Sequence, residues 1–142
     1  MKPSKKIPLL LLAYLWLLLV SCYYNNWAYS PSKPPHYEDD KYIYSFVGVD
    51  NVELIDVNNS AVMFNCAMTL SNPCWGAFPE IHGDSNRYYV EMWGMKEKRL
   101  MCIQVISTRI IPVQIEVEGP GDYTFCFIRR QGGTIEIDVT MP

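Results

Sequence analysis

The sequence contains very little histidine and none of the common short catalytic motifs. Only His36 and His82 occur in the 142 residues, and Gly-x-Ser-x-Gly, His-Glu-x-x-His and Gly-x-x-x-x-Gly-Lys are all absent. A histidine beside a turn, such as His82, is usually a solvated residue. Several carboxylates alternate with apolar residues and are typical of the solvated face of a strand: Glu116, Glu118, Glu136 and Asp138. We therefore expect a protein that is not an enzyme.

No apolar run is long enough to indicate a membrane-spanning helix. The run from residue 7 to residue 20 has 14 residues, whereas a spanning helix has roughly 18 or more. Lys2, Lys5 and Lys6 precede the run, and the small residue Ser21 follows it. A basic start, a short apolar stretch and a small residue before the cut are typical of a secretory signal peptide. We expect residues 1–21 to be removed after export.

The end of this leader, Leu19-Val20-Ser21-Cys22, resembles the lipobox of bacterial lipoproteins. In that family the cysteine receives a diacylglycerol, and the chain is cut just before it. The resemblance implies that Cys22 carries the lipid and that the bilayer is a partner, since two acyl chains hold a protein stably. Tyr23 stands where an Asp would mark inner-membrane retention, which permits an outer-membrane location if the host has one. The alternatives are an ordinary secreted protein and an uncleaved anchor.

Basic residues are scarce in the rest of the chain. The whole sequence has 12 Lys and Arg against 15 Asp and Glu. Without the three lysines of the leader, nine basic and fifteen acidic side chains remain, a net charge of −6. Nucleic-acid binding requires basic patches, so we exclude nucleic acid as a partner. The lipid, rather than the overall charge, is expected to hold the protein at the membrane.

The five cysteines are an odd number, but four remain if Cys22 carries a lipid. An even set in an exported protein predicts two disulfides, and four cysteines allow three connectivities. We expect the pairs Cys74–Cys102 and Cys66–Cys126. Because no Cys-x-x-Cys pair occurs and histidine is scarce, the sequence predicts no metal site and no cofactor.

Residues 22–40 have the composition of a tether. Three prolines lie between positions 31 and 35, close to serines and asparagines, and prolines so close together oppose both helix and strand. Four aromatic residues in the tether could rest at the membrane interface or pack on the domain as a strap: Tyr23, Tyr24, Trp27 and Tyr29.

From residue 41 onward the apolar pattern has a period of two. It is clearest over residues 61–70, 110–117 and 134–140, and this alternation predicts half-buried strands. Short strands with a turn every 8–12 residues predict a small antiparallel β-sandwich over residues 41–142, with a small barrel as the alternative. We also expect a strand over residues 100–106, and a meander of two hairpins formed by the last three strands.

Residues 121–126, Gly-Asp-Tyr-Thr-Phe-Cys, are similar to the strand-F region of immunoglobulin-like domains. In that family a tyrosine stands two residues before a cysteine. Here Tyr123 stands three residues before Cys126, so the two side chains are expected to face opposite sides of the strand. The resemblance therefore implies an immunoglobulin-like sandwich only in the loose architectural sense.

Aromatic residues cluster around two neighbouring turns and are candidates for a binding site: Trp75, Tyr88, Tyr89 and Trp93. Aromatic side chains near β-sandwich loops can stack on sugars or anchor a protein partner, although core packing is the commoner role of Trp. We expect a membrane-anchored lipoprotein of the cell envelope with a structural or protein-binding role. The alternative is an extracellular carbohydrate- or peptide-binding module, such as a protease inhibitor.

Overall fold

A computed structural model of this chain describes residues 40–142. The expected all-β sandwich is confirmed. The signal peptide, the lipid site Cys22 and the tether are predictions that lie outside the described residues. No helix within residues 40–142 is long and apolar enough to cross a bilayer. The described residues form eight strands: β1 (Tyr42–Phe46), β2 (Asn51–Val57), β3 (Ala61–Leu70), β4 (Gly76–Asp84), β5 (Arg87–Glu97), β6 (Ser107–Glu116), β7 (Gly121–Ile128) and β8 (Thr134–Met141).

The strands form a three-stranded and a five-stranded sheet. In the smaller sheet, β3 lies between β2 and β6, and both pairs are antiparallel. In the larger sheet, β5 pairs with β4 along one edge and with β1 and then β7 along the other, while β8 pairs with β7. One pair departs from the expected antiparallel arrangement, because β5 and β7 run parallel.

The core lies between the two sheets and consists of the residues that alternate along the strands. The ring of Phe64 on β3 lies 5.1 Å from that of Phe125 and 4.9 Å from that of Phe127, both on β7 of the opposing sheet. Tilted and edge-to-face ring contacts of this kind are favourable beyond the area that they bury. The alternation predicted for β3 is confirmed, since all five residues on one face are buried: Val62, Phe64, Cys66, Met68 and Leu70.

The expected meander of two hairpins is only half right. β7 and β8 form a hairpin, but β6 pairs with β3, so the chain crosses from the smaller to the larger sheet after Glu116. The N–H of Val117 still donates to the carbonyl oxygen of Ser60, and Gly119, with φ 87°, then turns the chain. Alternation identifies a strand but does not reveal which sheet the strand joins, which is why the prediction was wrong here.

Tyr123 and Cys126 face opposite sides of β7, as their spacing predicts. Tyr123 is buried in the core, whereas Cys126 lies outside the core cluster. The Tyr123 hydroxyl lies 3.1 Å from the carbonyl oxygens of Glu118 and Gly119, to which it can donate. A tyrosine that bonds to the backbone a few residues upstream is a feature of immunoglobulin-like sandwiches.

Gly48 allows the chain to switch sheets between β1 and β2. The N–H of Val49 donates to Ile128 of the larger sheet, and the N–H of Asp50 donates to Ala67 of the smaller one. Gly48 has φ 67°, and a Cβ at this position would lie 2.4 Å from the backbone nitrogen of Arg130. Glycine is therefore the residue that this left-handed, crowded position requires.

We predict that Gly48→Ala destabilises the domain. The left-handed backbone alone costs a residue with a Cβ about 1–2 kcal/mol, and the contact with Arg130 adds to this cost. The matched control is Gly76→Ala, since a Cβ there meets nothing closer than 3.7 Å. Denaturant unfolding of both variants measures the effect, and equal free energies of unfolding would contradict the prediction.

Candidate functional site

The disulfide Cys74–Cys102 is present as expected. The two Cα atoms are 6.1 Å apart, and the residues are 28 positions apart in sequence. Cys74 lies in the turn between β3 and β4, and Cys102 lies in the long connection between β5 and β6. Closing a loop of this length stabilises the fold by about 3.5 kcal/mol in the chain-entropy model.

The expected second bridge, Cys66–Cys126, is wrong, because both cysteines are free and buried. Cys66 faces the core from β3, whereas Cys126 lies on the outer face of β7, with its Sγ 3.8 Å from a carboxylate oxygen of the exposed Glu136. Since side chains alternate across a strand, the backbone of the larger sheet separates the two thiols. Burial raises the pKa of Cys66 to about 12. Burial also raises the pKa of Cys126, although the nearby Arg87 opposes that rise.

We predict that Cys66 and Cys126 resist alkylation at pH 8 in the folded protein, since alkylating reagents attack the thiolate and burial disfavours it. Unfolding without a reductant should add two alkyl groups to the domain, and reduction should then expose Cys74 and Cys102. Intact mass measures each step. Failure to alkylate any thiol after unfolding would show that the second bridge exists.

An exposed apolar segment follows β5 and is called here the apolar loop, residues 98–106. The side chains of Met101, Ile103 and Ile106 are 92%, 70% and 75% exposed, and Leu100 and Val105 are also exposed. Contiguous exposed apolar surface on a soluble domain usually marks an interaction site. The apolar loop is therefore the first candidate functional surface.

The sequence pattern predicted a strand where the apolar loop lies, and that prediction is wrong. Residues 101–106 have no regular secondary structure, and β6 begins only at Ser107. Cys102, in the middle of the loop, is bonded to Cys74 in the turn that follows β3. The cysteine within the apolar run was the signal that could have revealed this.

The four aromatic residues predicted to form a binding site do not lie together. Trp75 and Tyr88 pack against the core, and the Tyr88 ring stacks on Phe125 with centroids 5.5 Å apart. Tyr89 and Trp93 project from the opposite, outer face of the larger sheet. Tyr88 and Tyr89 are neighbours on one strand, so they necessarily point to opposite faces.

Polar contacts hold the aromatic side chains Trp93 and Tyr89 in place on the outer face of the larger sheet. Trp93 is 6% exposed, and its indole N–H donates to Oε2 of the buried Glu91 at 3.0 Å. The Nε of Arg87 donates to the Tyr89 hydroxyl at 3.1 Å, and its guanidinium lies 5.7 Å from the centre of that ring. Arg87 also forms an ion pair with Glu136. These contacts fix the side-chain directions of Tyr89 and Trp93, two of the four residues predicted to form a binding site.

Sequence reasoning missed a row of half-buried aromatic residues on the outer face, called here the aromatic row: Tyr42, Tyr44, Phe46 and Phe78. Phe46 and Phe78 both pair in register with Trp93 from its two sides, so all three share one face. The Tyr44 and Phe78 rings meet edge to face at 6.4 Å. The period-two spacing of Tyr42, Tyr44 and Phe46 was the available signal.

A second feature that sequence reasoning missed is a group of two carboxylates and a histidine on the β4–β5 hairpin. Glu80 lies directly opposite Glu91 in register, and His82 follows on the same face. One ligand atom from each side chain lies within 4.8 Å of the other two, a set that could hold a metal ion. The His82 Nε2 is 3.7 Å from Glu80 Oε1, which is an ion-pair distance.

Glu80 is held in surroundings that disfavour its charge. Its side chain is 16% exposed, and Oε2 is buried without a hydrogen-bond partner among the residues that the structure describes. Burial raises the pKa of Glu80 above its ordinary value, and the charge of Glu91 raises it further, while His82 opposes the rise. The ionised carboxylate is therefore destabilising in the folded state.

We predict that Glu80→Gln raises the free energy of unfolding at pH 7. A carboxyl whose pKa is raised on folding binds its proton more tightly in the folded state than in the unfolded state. The free energy of unfolding therefore falls as the pH rises from the unfolded pKa of Glu80 to its folded pKa. The gain from Gln should shrink as the pH is lowered and should disappear at about pH 3, where the carboxyl is largely protonated in both states. Urea unfolding at both pH values measures the effect, with the exposed Glu116→Gln as the control. An equal effect of Glu80→Gln at both pH values would contradict the assignment.

Comparison of this chain with protein-family models, with curated proteins and with solved structures found no match. A proposed function therefore rests on the predicted leader, the disulfide, the apolar loop and the outer face of the larger sheet.

Proposed function

We propose that this chain is a lipid-anchored protein of the cell envelope that supports or binds another protein and does not act as an enzyme. The leader supports the first part, through the resemblance of residues 19–22 to the lipobox. The observation that carries the proposal is the disulfide Cys74–Cys102 in the folded domain. Structural disulfides form and persist in oxidising compartments outside the cytoplasm, which is where a signal peptide delivers a chain.

The environments of the other cysteines also favour a lipid on Cys22. Cys74 and Cys102 are bonded to each other, and Cys66 and Cys126 are buried. The even number of remaining cysteines no longer supports the anchor, because only one pair is bridged. Each of the four cysteines within the described residues is either in a disulfide or buried, so none of them offers an exposed thiol that could pair with Cys22.

We predict that Cys22→Ala moves the protein from the membrane fraction to the soluble fraction, because the thioether-linked lipid is lost. Ser21→Ala is the matched control, since the lipobox accepts Gly, Ala or Ser before the cysteine, and it should leave the protein on the membrane. Fractionation and the mass of the N-terminal peptide measure the outcome. A wild-type peptide without a diacylglyceryl group, or a Cys22→Ala protein that stays in the membrane fraction, would overturn the anchor.

The aromatic row supports a protein-binding role for the domain. Aromatic residues are enriched at the centres of protein interfaces, where they bury a large area at a small entropic cost. The row is half-buried, and the ring of Phe46 packs edge to face on Trp93 at 5.7 Å, which holds it in place. The carbohydrate- or peptide-binding alternative needs aromatic side chains that face solvent together, and Trp75 and Tyr88 pack on the core instead.

We predict that a photoreactive amino acid in place of Phe46 cross-links one specific protein in intact envelopes. The same group at the exposed Gln114, on the smaller sheet, should give no such product. Gel mobility and mass spectrometry identify the products. Identical products from both positions, or none from position 46, would contradict a protein-binding role of the aromatic row.

A further inference from the structure

The apolar loop and the beginning of the described domain lie at the same end of the molecule. The N–H of Lys98 donates to the carbonyl oxygen of Lys41 at 2.9 Å, and Tyr42 pairs in register with Glu97. Residues 1–39 precede this point in the sequence. The segment that the proposed function attaches to a membrane at Cys22 therefore joins the domain next to the first residues of the apolar loop.

The charge around the apolar loop is opposite in sign to that of the whole domain. Residues 40–142 contain 8 basic and 13 acidic side chains. Among the described residues, five basic side chains lie in the loop or on the strand ends beside it, against the two acidic residues Asp40 and Glu97: Lys41, Lys96, Lys98, Arg99 and Arg109. Glu38 and Asp39 precede Asp40 in the sequence. Basic residues therefore flank the exposed apolar strip, on a domain whose described part is acidic overall.

The loop is held so that its apolar side chains stay on the surface. The disulfide ties Cys102 to Cys74, and Arg109 donates from Nη2 to the carbonyl oxygen of Pro73, next to that bridge, at 2.9 Å. The N–H of Leu100 donates to the carbonyl oxygen of Glu97 and turns the chain as β5 ends. A segment fastened at its start, middle and end presents its apolar residues with little further loss of conformational freedom.

We infer that the apolar loop docks on the surface of the membrane that carries the lipid anchor, with its basic neighbours among anionic head groups. Binding at a bilayer interface depends on buried apolar area and on attraction between basic residues and anionic lipids. The loop supplies both, at the end where the anchored segment enters the domain. A protein partner would need an apolar pocket with an acidic rim, whereas an anionic bilayer offers both properties without a matching shape.

The inference rests on the proposed lipid anchor, and the test separates the two. A fluorescent amino acid that responds to polarity replaces Met101 in the full lipidated protein, and a second preparation carries it at Gln114. Both proteins are reconstituted into vesicles of phosphatidylcholine with phosphatidylglycerol, or of phosphatidylcholine alone, each with a nitroxide-labelled lipid. Flotation reports attachment, and emission wavelength and quenching report contact with lipid.

In the anionic vesicles we expect a blue-shifted emission at position 101, and quenching at least about threefold stronger than at position 114, because only the loop enters the interface. Quenching at position 101 should be weaker in pure phosphatidylcholine. Flotation with equal quenching at both positions overturns the docking and leaves the anchor standing, whereas failure to float overturns both. A blue shift that grows with protein density, without quenching, would show that a second copy covers the loop and would overturn the membrane assignment.

A pair of matched variants tests whether the apolar side chains carry the contact. Ile106→Glu, made in the protein labelled at position 101, should reduce the quenching severalfold, because a charge enters the apolar strip. Gln114→Glu adds the same charge at an exposed position outside the loop and should leave the quenching unchanged. Equal quenching in both variants would show that the loop does not make the contact.

Discussion

The rest of the structure depends on the contact between the two sheets at Phe64. This ring lies between Phe125 and Phe127, which reach it from the opposing sheet, so it joins the strand in the middle of one layer to a strand of the other. The core around it is built from the apolar residues of five further strands. The exposed apolar side chains of the apolar loop lie outside this core, whereas the other large exposed ones are dispersed over β1, β2, β4 and β6.

The sequence was most informative where one face of a strand is buried and the other is not. Alternation identified the inward residues of β3, β6 and β8, because burial on one side imposes a period of two whatever the neighbouring strand is. It did not reveal sheet membership, which depends on contacts distant in the chain. The crossing after Glu116 and the parallel pairing of β5 with β7 are determined by contacts between residues far apart in the sequence. The same holds for the switch between sheets at Gly48, because a glycine in the sequence is on its own only a weak sign of a left-handed backbone.

The predictions for the cysteines and aromatic residues of the candidate site also failed where the outcome depends on strand register. Counting cysteines suggested two bridges, but Cys66 and Cys126 lie on the two sides of a sheet, and only the register of β7 reveals this. The approach of Glu80 to Glu91 likewise arises from the hairpin register across eleven positions of sequence. Tyr88 and Tyr89 were grouped because they are neighbours in sequence, although neighbours on a strand are separated by the sheet itself.

The proposed lipid anchor and the proposed docking of the apolar loop would together give the domain a defined orientation at the membrane. A single point of attachment at Cys22 would not by itself fix the orientation of the domain. A second contact through the apolar loop would need little affinity of its own, because the proposed lipid at Cys22 would keep the loop at a high local concentration near the bilayer. The hydrogen bond between Lys98 and Lys41 connects the loop to the first described residues of the domain. A membrane contact at that end would hold the chain there and leave the far end of the sandwich, including the Ser85–Asn86 turn, directed away from the bilayer.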